Sequence, residues 1–583
     1  MLACNLKSDS MKFYKFLFFI SGCLMIGSCT KVLDKKNLNA IDEGDVWNDV
    51  ELATAVVNNI YARSLPGWTT EYADYSEESD GGGPFMYGQL TENSVNYWPY
   101  NDIRDINVLL ANVDKGTLKE ADKKLLKGQA FLFRGWQYFE MVKRYGGVPL
   151  VLEPQKVTDD LFVERASTSA TIQQIIKDLD SAIADLPAVA ASNQALNNGR
   201  VHKGTALAVK GRVLLYYASE QFDPNQTAAG RWQAAYDANK AAKDFLVSQG
   251  FGLYPSFGGL WFNEMNKEVI FVKRYQFTTG AAHSFHNWSA ATRPLDVSQG
   301  ATGGNRPVLE IVKAFPMKDG KMINDPTSAY TYDPVYFWRN RDPRFKETIV
   351  YNGAPWGLGI SAPQPGRLQF TYVSAETNSP TATGFYMRKA VDTTQSSIQA
   401  FNSGTDWIEL RYAEVLMNLA EAANEIGKTS EAYPELVAIR ARAGIDPGTN
   451  NLYGLKAGMT KAEMRDAIMF EREIEFAFEA KRFWDLRRRR LFESRLNGTK
   501  RTGLRTTLKT GVTKAQVNAL TPAQLEANYS QYFDQQVITM DTQFPINWKP
   551  EYYFFAIPTE NLQLNSKLQQ TKGWAGGTFD PLL

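Results

Sequence analysis

The chain has 583 residues, a formal net charge of +1, three cysteines and three histidines. Cys4, Cys23 and Cys29 all lie near the N-terminus, so the rest of the chain can hold no disulfide scaffold, thiolate zinc site, iron–sulfur cluster or cysteine nucleophile. Near-zero charge gives no footing for a nucleic-acid partner, while 13 Trp and 27 Tyr are more amphipathic rings than a core readily buries, so some are expected to face a ligand or partner.

At the start, Lys12 and Lys15 precede the apolar run Phe16–Ile26, which ends in Gly27-Ser28-Cys29. The run is too short to cross a bilayer as a helix but suits a signal peptide. Small residues before a cysteine resemble the lipobox of bacterial lipoproteins. Residues 1–28 then read as a lipoprotein signal peptide, Cys29 as the acylated new N-terminus, and Met11 as the more natural start. An ordinary secretory leader is the plainer alternative.

After a polar tether, a helical pattern covers Asp45–Tyr61. Gly67–Tyr100 is different: Gly- and acid-rich, with Trp68, Tyr72, Tyr75, Phe85, Tyr87, Tyr97, Trp98 and Tyr100, it reads as a long functional loop region or several short ones. Leu125–Arg144 carries two apolar stripes and stops at Gly146-Gly147. Helices are predicted over Ser167–Leu186, Lys203–Ala218 and Trp232–Ser248. From Phe251 to Ala400 the pattern breaks into Gly/Pro/aromatic loops with a few short strands. Helix returns at Trp407–Ile426, Tyr433–Arg442 and Lys461–Arg490, and a short aromatic strand is predicted at Tyr552–Ile557. The fold class is mainly α: antiparallel helix pairs like those of tetratricopeptide arrays form a scaffold, without a strict repeat, and carry a large irregular, aromatic-rich face.

Several of these segments together resemble the SusD/RagB family of outer-membrane nutrient-binding lipoproteins. They are Ala130–Leu150 with its YGGVPL turn, Val201–Ala218, the NRDPRF of Asn340–Phe345, Trp407–Glu425 with Ile439–Gly444, Glu471–Arg488, and Phe555-Ala556-Ile557-Pro558 with Asn561 and Asn565 following. The resemblance implies one domain over 29–583: an N-terminal helical part (29–250) with the aromatic loop 67–100, a loop-rich ligand-binding region (251–400) and a C-terminal helical part (401–583). Taken as residues, these motifs are structural. Charged and apolar residues alternate at helical spacing, as in packed helices with a solvated face. Arg411, Arg440 and Arg482 are expected to tie helices together through Glu414, Glu421 and Asp485.

Other chemistries are weaker. Ala422–Thr429 fits a loose phosphate-loop pattern, but a helix precedes it and Gly427 reads as that helix's stop. His283 and His286 lack a third metal ligand, so no metal or cofactor is expected. The run Arg487–Arg490 reads as a solvated or salt-bridged helix end, where cations complement the macrodipole. Asp74, Glu77, Glu78 and Asp80 read as solvated loop acids. The loop rings remain, and flat rings suit sugars, whose C–H faces stack while hydroxyls take hydrogen bonds. The candidate ligand contacts are Trp68, Tyr72 and Tyr75, then Tyr275, His286 and Trp288, with Trp356 and Tyr372 in a third loop group. Trp136, Trp407 and Trp484 read as core. As the resemblance implies, the protein would be non-catalytic, capture oligosaccharide at the cell surface and deliver it to a SusC-like TonB-dependent transporter in the outer membrane. The alternatives are a RagB-like peptide-uptake component and, further off, a surface glycosidase.

Overall fold

The computed structural model describes residues 43–68, 79–276, 292–294, 301, 303–375 and 381–583. The leader and Cys29, the rings Tyr72, Tyr75, His286 and Trp288, and the acids Asp74, Glu77 and Glu78 lie outside them. Helices form where the apolar period is 3.6, some of them with a side-chain cap. Asp49 caps α1 (Val50–Ser64) by accepting the backbone N–H groups of Glu51 and Leu52. Then come α2 (Tyr100–Asn112), α3 (Glu120–Tyr145), α4 (Thr168–Asp185, capped by Ser167), α5 (Lys203–Ala218) and α6 (Arg231–Ser248). α3 packs on α4, and α5 on α6 and α4, giving the tetratricopeptide-like antiparallel pairs expected. Helix α2 falls just past the stretch read as loop.

The cap of α5 is unusual. His202 is buried and accepts the Gly204 N–H on Nδ1 at 3.1 Å. Burial pushes its imidazole down to about 4. Its folded value lies below the unfolded one, so this contribution is complete above about pH 6.5 and is lost as pH falls through 4; it amounts to about 3 kcal/mol. An NMR titration of the ring should return a value near 4, and His202→Asn should flatten that part of the acid limb. A ring titrating near 6.5 would refute this.

The second half departs from expectation at three places. Trp407–Ile426 is not one helix. Trp407–Arg411 is a strand, β2, paired antiparallel with β1 (Val269–Lys273) in a register that sets Lys273 opposite Trp407, and helix α7 (Tyr412–Glu425) follows. The alternation in WIELR suits a strand: Trp407 and Glu409 share one side, while Ile408 packs with Val269, Val272 and Trp261; the pairing is irregular at Phe271, and Leu410 joins Phe271 in the main core. α8 (Thr429–Ala443) and α9 (Lys461–Glu475) complete this half of the scaffold. The helix predicted over Lys461–Arg490 breaks, because Phe478 and Ala480 take left-handed backbone angles (φ 60° and 54°) before α10 (Arg482–Arg488). The break delivers Glu479 to a buried ion cluster, which offsets the conformational cost. Tyr552–Ile557 is a 3-10 turn and extended segment, not a strand: the Tyr552 and Tyr553 carbonyls accept from the Arg487 guanidinium instead of a neighbouring strand. A hairpin of β3 (Thr502–Leu508) and β4 (Phe533–Thr539), bridged by α11 (Pro522–Tyr532), carries no sequence expectation. Two further two-stranded pairings occur among the described residues.

Helix α7, in the Trp407–Glu425 motif, has no solvated face: every residue of it is buried. Arg411 meets Glu268 at 2.8 Å, Glu475 at 2.7 Å and Glu479 at 2.9 Å. Arg344 of the NRDPRF motif meets Asp342 at 2.7 Å, Glu471 at 2.7 Å and Glu475 at 2.9 Å. Arg440 joins Glu471, Arg442 joins Glu268 and Glu475, and Lys389 joins Glu479. Five cations thus face five carboxylates, so the cluster is neutral as a whole, the condition under which buried charge is tolerated. The arginines tie elements together, but through other carboxylates than expected: Glu414 binds Arg212, Glu421 binds Arg488, Asp485 binds Arg472 and Arg488, and Arg482 pairs with Glu473. Of the two readings of the Arg487–Arg490 run, the salt-bridged one holds for Arg488, with Glu421 and Asp485, and Arg489, with Glu220 and Glu425; Arg487–Arg489 are buried, and Arg487 donates to the carbonyls of Lys143, Arg144, Tyr552 and Tyr553.

Candidate functional site

A cavity of about 380 Å³ opens where α3, the β1–β2 pair and the α9–α10 break converge. α3 contributes Trp136, Glu140, Lys143 and Arg144, which fall on one face by their i, i+4, i+7, i+8 spacing. β2 contributes Trp407 and Glu409, two residues apart on one side of the strand. The segment leaving α1 brings Gly67 and Trp68, and the end of β1 brings Lys273 and Tyr275.

Trp68 is half-buried and held at both ends: its indole N–H donates to the Thr405 carbonyl at 2.8 Å, and its ring meets Trp407 edge-on at 5.0 Å and Trp261 at 5.6 Å. The Tyr275 N–H donates to Asp406 at 2.8 Å, and burial raises the Tyr275 hydroxyl above its ordinary range while the Trp68 backbone bonds it. Gly67 is closely packed here: a Cβ would collide with the Tyr275 hydroxyl and press on the Lys273 side chain, so that these would have to shift. Two of the six ligand candidates, Trp68 and Tyr275, are therefore brought together; the other four lie outside the described residues.

The floor is ionic. Lys143 pairs with Glu140 at 2.5 Å and lies 4.0 Å over the Trp484 ring, and burial pushes its ammonium down to about 7 against the pull of Glu140. Glu140 also takes Arg144 at 2.7 Å; burial alone would raise its carboxyl, but these two cations hold it near 2. Glu409 receives Arg212 at 2.6 Å, Lys481 at 3.1 Å and the Trp407 indole N–H at 3.1 Å. Trp136, Trp407 and Trp484 are core residues by burial, as expected, yet each also presents an edge to this cavity.

The remaining expectations divide. Trp356 and Tyr372 are wholly buried, Trp356 among Val350, Leu358 and Tyr386, and Tyr372 against Phe370 and Phe533, so neither can meet a ligand. Asp80 is paired with Arg306 at 2.8 Å rather than solvated. Gly427 ends α7 with φ 83°, as its reading required. Among the described residues no group of three or more His, Cys, Asp or Glu could hold a metal, and no helix is long and apolar enough to cross a membrane.

A family model described as the SusD family matches residues 267–574, more than half of the chain. The chain belongs to the SusD family. A second model, described as starch-binding and associating with the outer membrane, matches residues 30–215. This SusD-family protein is 22% identical to SusD-like protein P38 of Formosa agariphila over 501 residues, 81% of this chain and 90% of that one. It is also 42% identical to SusD-like protein P2 of the same bacterium over 90 residues, only 15% of this chain and 18% of that one. A SusD-like protein of Bacteroides fragilis superposes with a TM-score of 0.73 at 24% identity, covering 92% of this chain and 99% of that one. A SusD-like carbohydrate-binding protein of the same species gives 0.70 at 22% identity, covering 90% and 100%. At these identities the structural likeness speaks for the fold.

Reading by loop composition missed Tyr97, Trp407 and the ionic floor. Tyr97 carries the Arg144 guanidinium 4.4 Å over its ring. The period-two pattern of WIELR was the available signal for Trp407 and Glu409. Nothing local marks Glu140 and Lys143, whose helical spacing looks like that of any solvated pair.

Proposed function

We propose that this SusD-family protein is a non-catalytic, surface-exposed outer-membrane lipoprotein that captures oligosaccharide and delivers it to a SusC-like TonB-dependent transporter. Residues 1–28 leave as a signal peptide, Cys29 carries the lipid, and 29–583 act as one domain. The observation that carries the reading is the meeting of Trp68, Tyr275 and Trp407 at one cavity, since fixed ring edges and faces beside hydrogen-bonding groups are what a sugar requires. The matched family description, starch-binding and associating with the outer membrane, supports both ligand class and location. The carbohydrate-binding relative of like fold supports the ligand class. Capture without cleavage is supported by Glu140, one of the carboxylates that line the cavity: a glycosidase acid needs a raised pKa, and Lys143 and Arg144 hold Glu140 near 2.

The test is titration calorimetry of the purified protein against a glycan and peptide library. Saturable binding of a saccharide without hydrolysis is expected; binding of peptides alone, or release of sugar products, would overturn the reading. The anchor has its own test. Cys29→Ala should move the protein from the membrane fraction to the soluble fraction, and unchanged membrane association would refute lipidation there.

A further inference from the structure

We propose that the ligand of this cavity is an acidic oligosaccharide, bearing a carboxylate or a sulfate ester that the Lys273 ammonium receives. The proposal rests on the glycan-capture reading above and adds the class of sugar. Among the described residues, six cationic side chains line the cavity against two carboxylates, Glu140 and Glu409. Five of the six cations are paired. Arg63 meets Asp102 and Asp105, Lys143 and Arg144 share Glu140, and Arg212 and Lys481 share Glu409 and Glu414. Lys273 has no carboxylate and no hydrogen-bond acceptor among the described residues.

Its position makes this consequential. Strand register sets Lys273 opposite Trp407, and its stem runs beside Gly67. Its ammonium lies 5.9 Å from the Tyr275 ring centroid, at the same wall as the rings on which a sugar would stack. Burial lowers its pKa, and no neighbouring acid offsets that. A half-buried ammonium without a counter-charge is an electrostatic cost that the fold does not relieve. A neutral hydroxyl would accept a hydrogen bond from it but leave the charge uncompensated; a carboxylate or sulfate oxygen does both, in the stronger, charge-assisted bond.

The experiment compares oligogalacturonate with its methyl ester, and a sulfated galacto-oligosaccharide with its desulfated counterpart, by calorimetry on the purified protein. One anionic probe should bind about tenfold or more tightly than its neutral partner. Carboxylate preference assigns a uronate, and sulfate preference a sulfate ester. Lys273→Met should abolish the preference, the affinity for the acidic probe falling to that for its neutral partner, and Lys273→Arg should retain it, with unchanged melting curves for both variants. Equal affinity for acidic and neutral probes overturns the proposal and leaves glycan capture standing. So does a preference that survives Lys273→Met, which would locate the anion elsewhere. Binding of no saccharide across a library of neutral and acidic glycans, or of a polyglutamate peptide alone, overturns the glycan reading and this proposal together.

Discussion

Replacing Arg411 by methionine is expected to destabilise the fold by about 3–5 kcal/mol, the cost of breaking a buried ion pair from one side. The guanidinium is fully enclosed and serves three carboxylates, Glu268, Glu475 and Glu479. Removing it turns a neutral cluster into one with a net negative charge in a place that water does not reach. Denaturant titration at pH 7 measures the loss, and a change below 1 kcal/mol would refute the assignment of this cluster as the scaffold's clamp. The sign of the pH dependence is a second check. In the intact protein, burial alone would raise Glu475, but Arg442, Arg411 and Arg344 hold its carboxyl far below the usual range. Its contribution is therefore present above about pH 4.5 and is lost only as pH falls through the depressed value. In the variant the stranded carboxylates gain a proton more readily in the folded state than in the unfolded one. The gap between the two proteins should accordingly narrow as pH falls from 7 towards 4.

Trp68→Ala should weaken saccharide binding by roughly two orders of magnitude, the effect of truncating an aromatic anchor at the centre of a recognition site, about 2–4 kcal/mol. The ring is fixed before any ligand arrives, by the Thr405 carbonyl and by Trp407 and Trp261. Its stacking surface therefore costs little ordering on binding. Calorimetry with a bound glycan reads the loss, and a melting curve near that of the intact protein separates it from unfolding. Unaltered affinity would remove Trp68, and with it this cavity, from the ligand site.

The helical half of the fold was legible because its signals are local. Lys203–Ala218 coincides with its predicted bounds, and the cap at Ser167 and the stop at Gly427 follow from residue chemistry alone. What stayed hidden depends on distant partners. The alternation of charge in Trp407–Glu425 and Glu471–Arg488 is the same whether the charged face meets water or ten buried ionic groups. The partners of Arg411 lie at positions 268, 475 and 479, spacings no periodicity reveals. The site was legible in the same proportion: Trp68 and Tyr275 stood out as loop rings, while Trp356 and Tyr372 carried the same signal and are buried. Aromatic content distinguishes a ligand ring from a core ring only when the packing around it is known.

Strand β2 begins at Trp407, in the cavity wall, and ends at Arg411, in the ion cluster, with Glu409 between them also lining the cavity. Five residues thus join recognition to stability. A substitution that moved Trp407 to suit another sugar would drag on three fully buried salt bridges, whereas the segments that carry Trp68 and Tyr275 into the cavity are held by hydrogen bonds to Thr405 and Asp406 and by the part-exposed Arg274. New ligand preferences are therefore expected to arise on the loop side of the cavity, with the strand side acting as a fixed die against which different loops are cast.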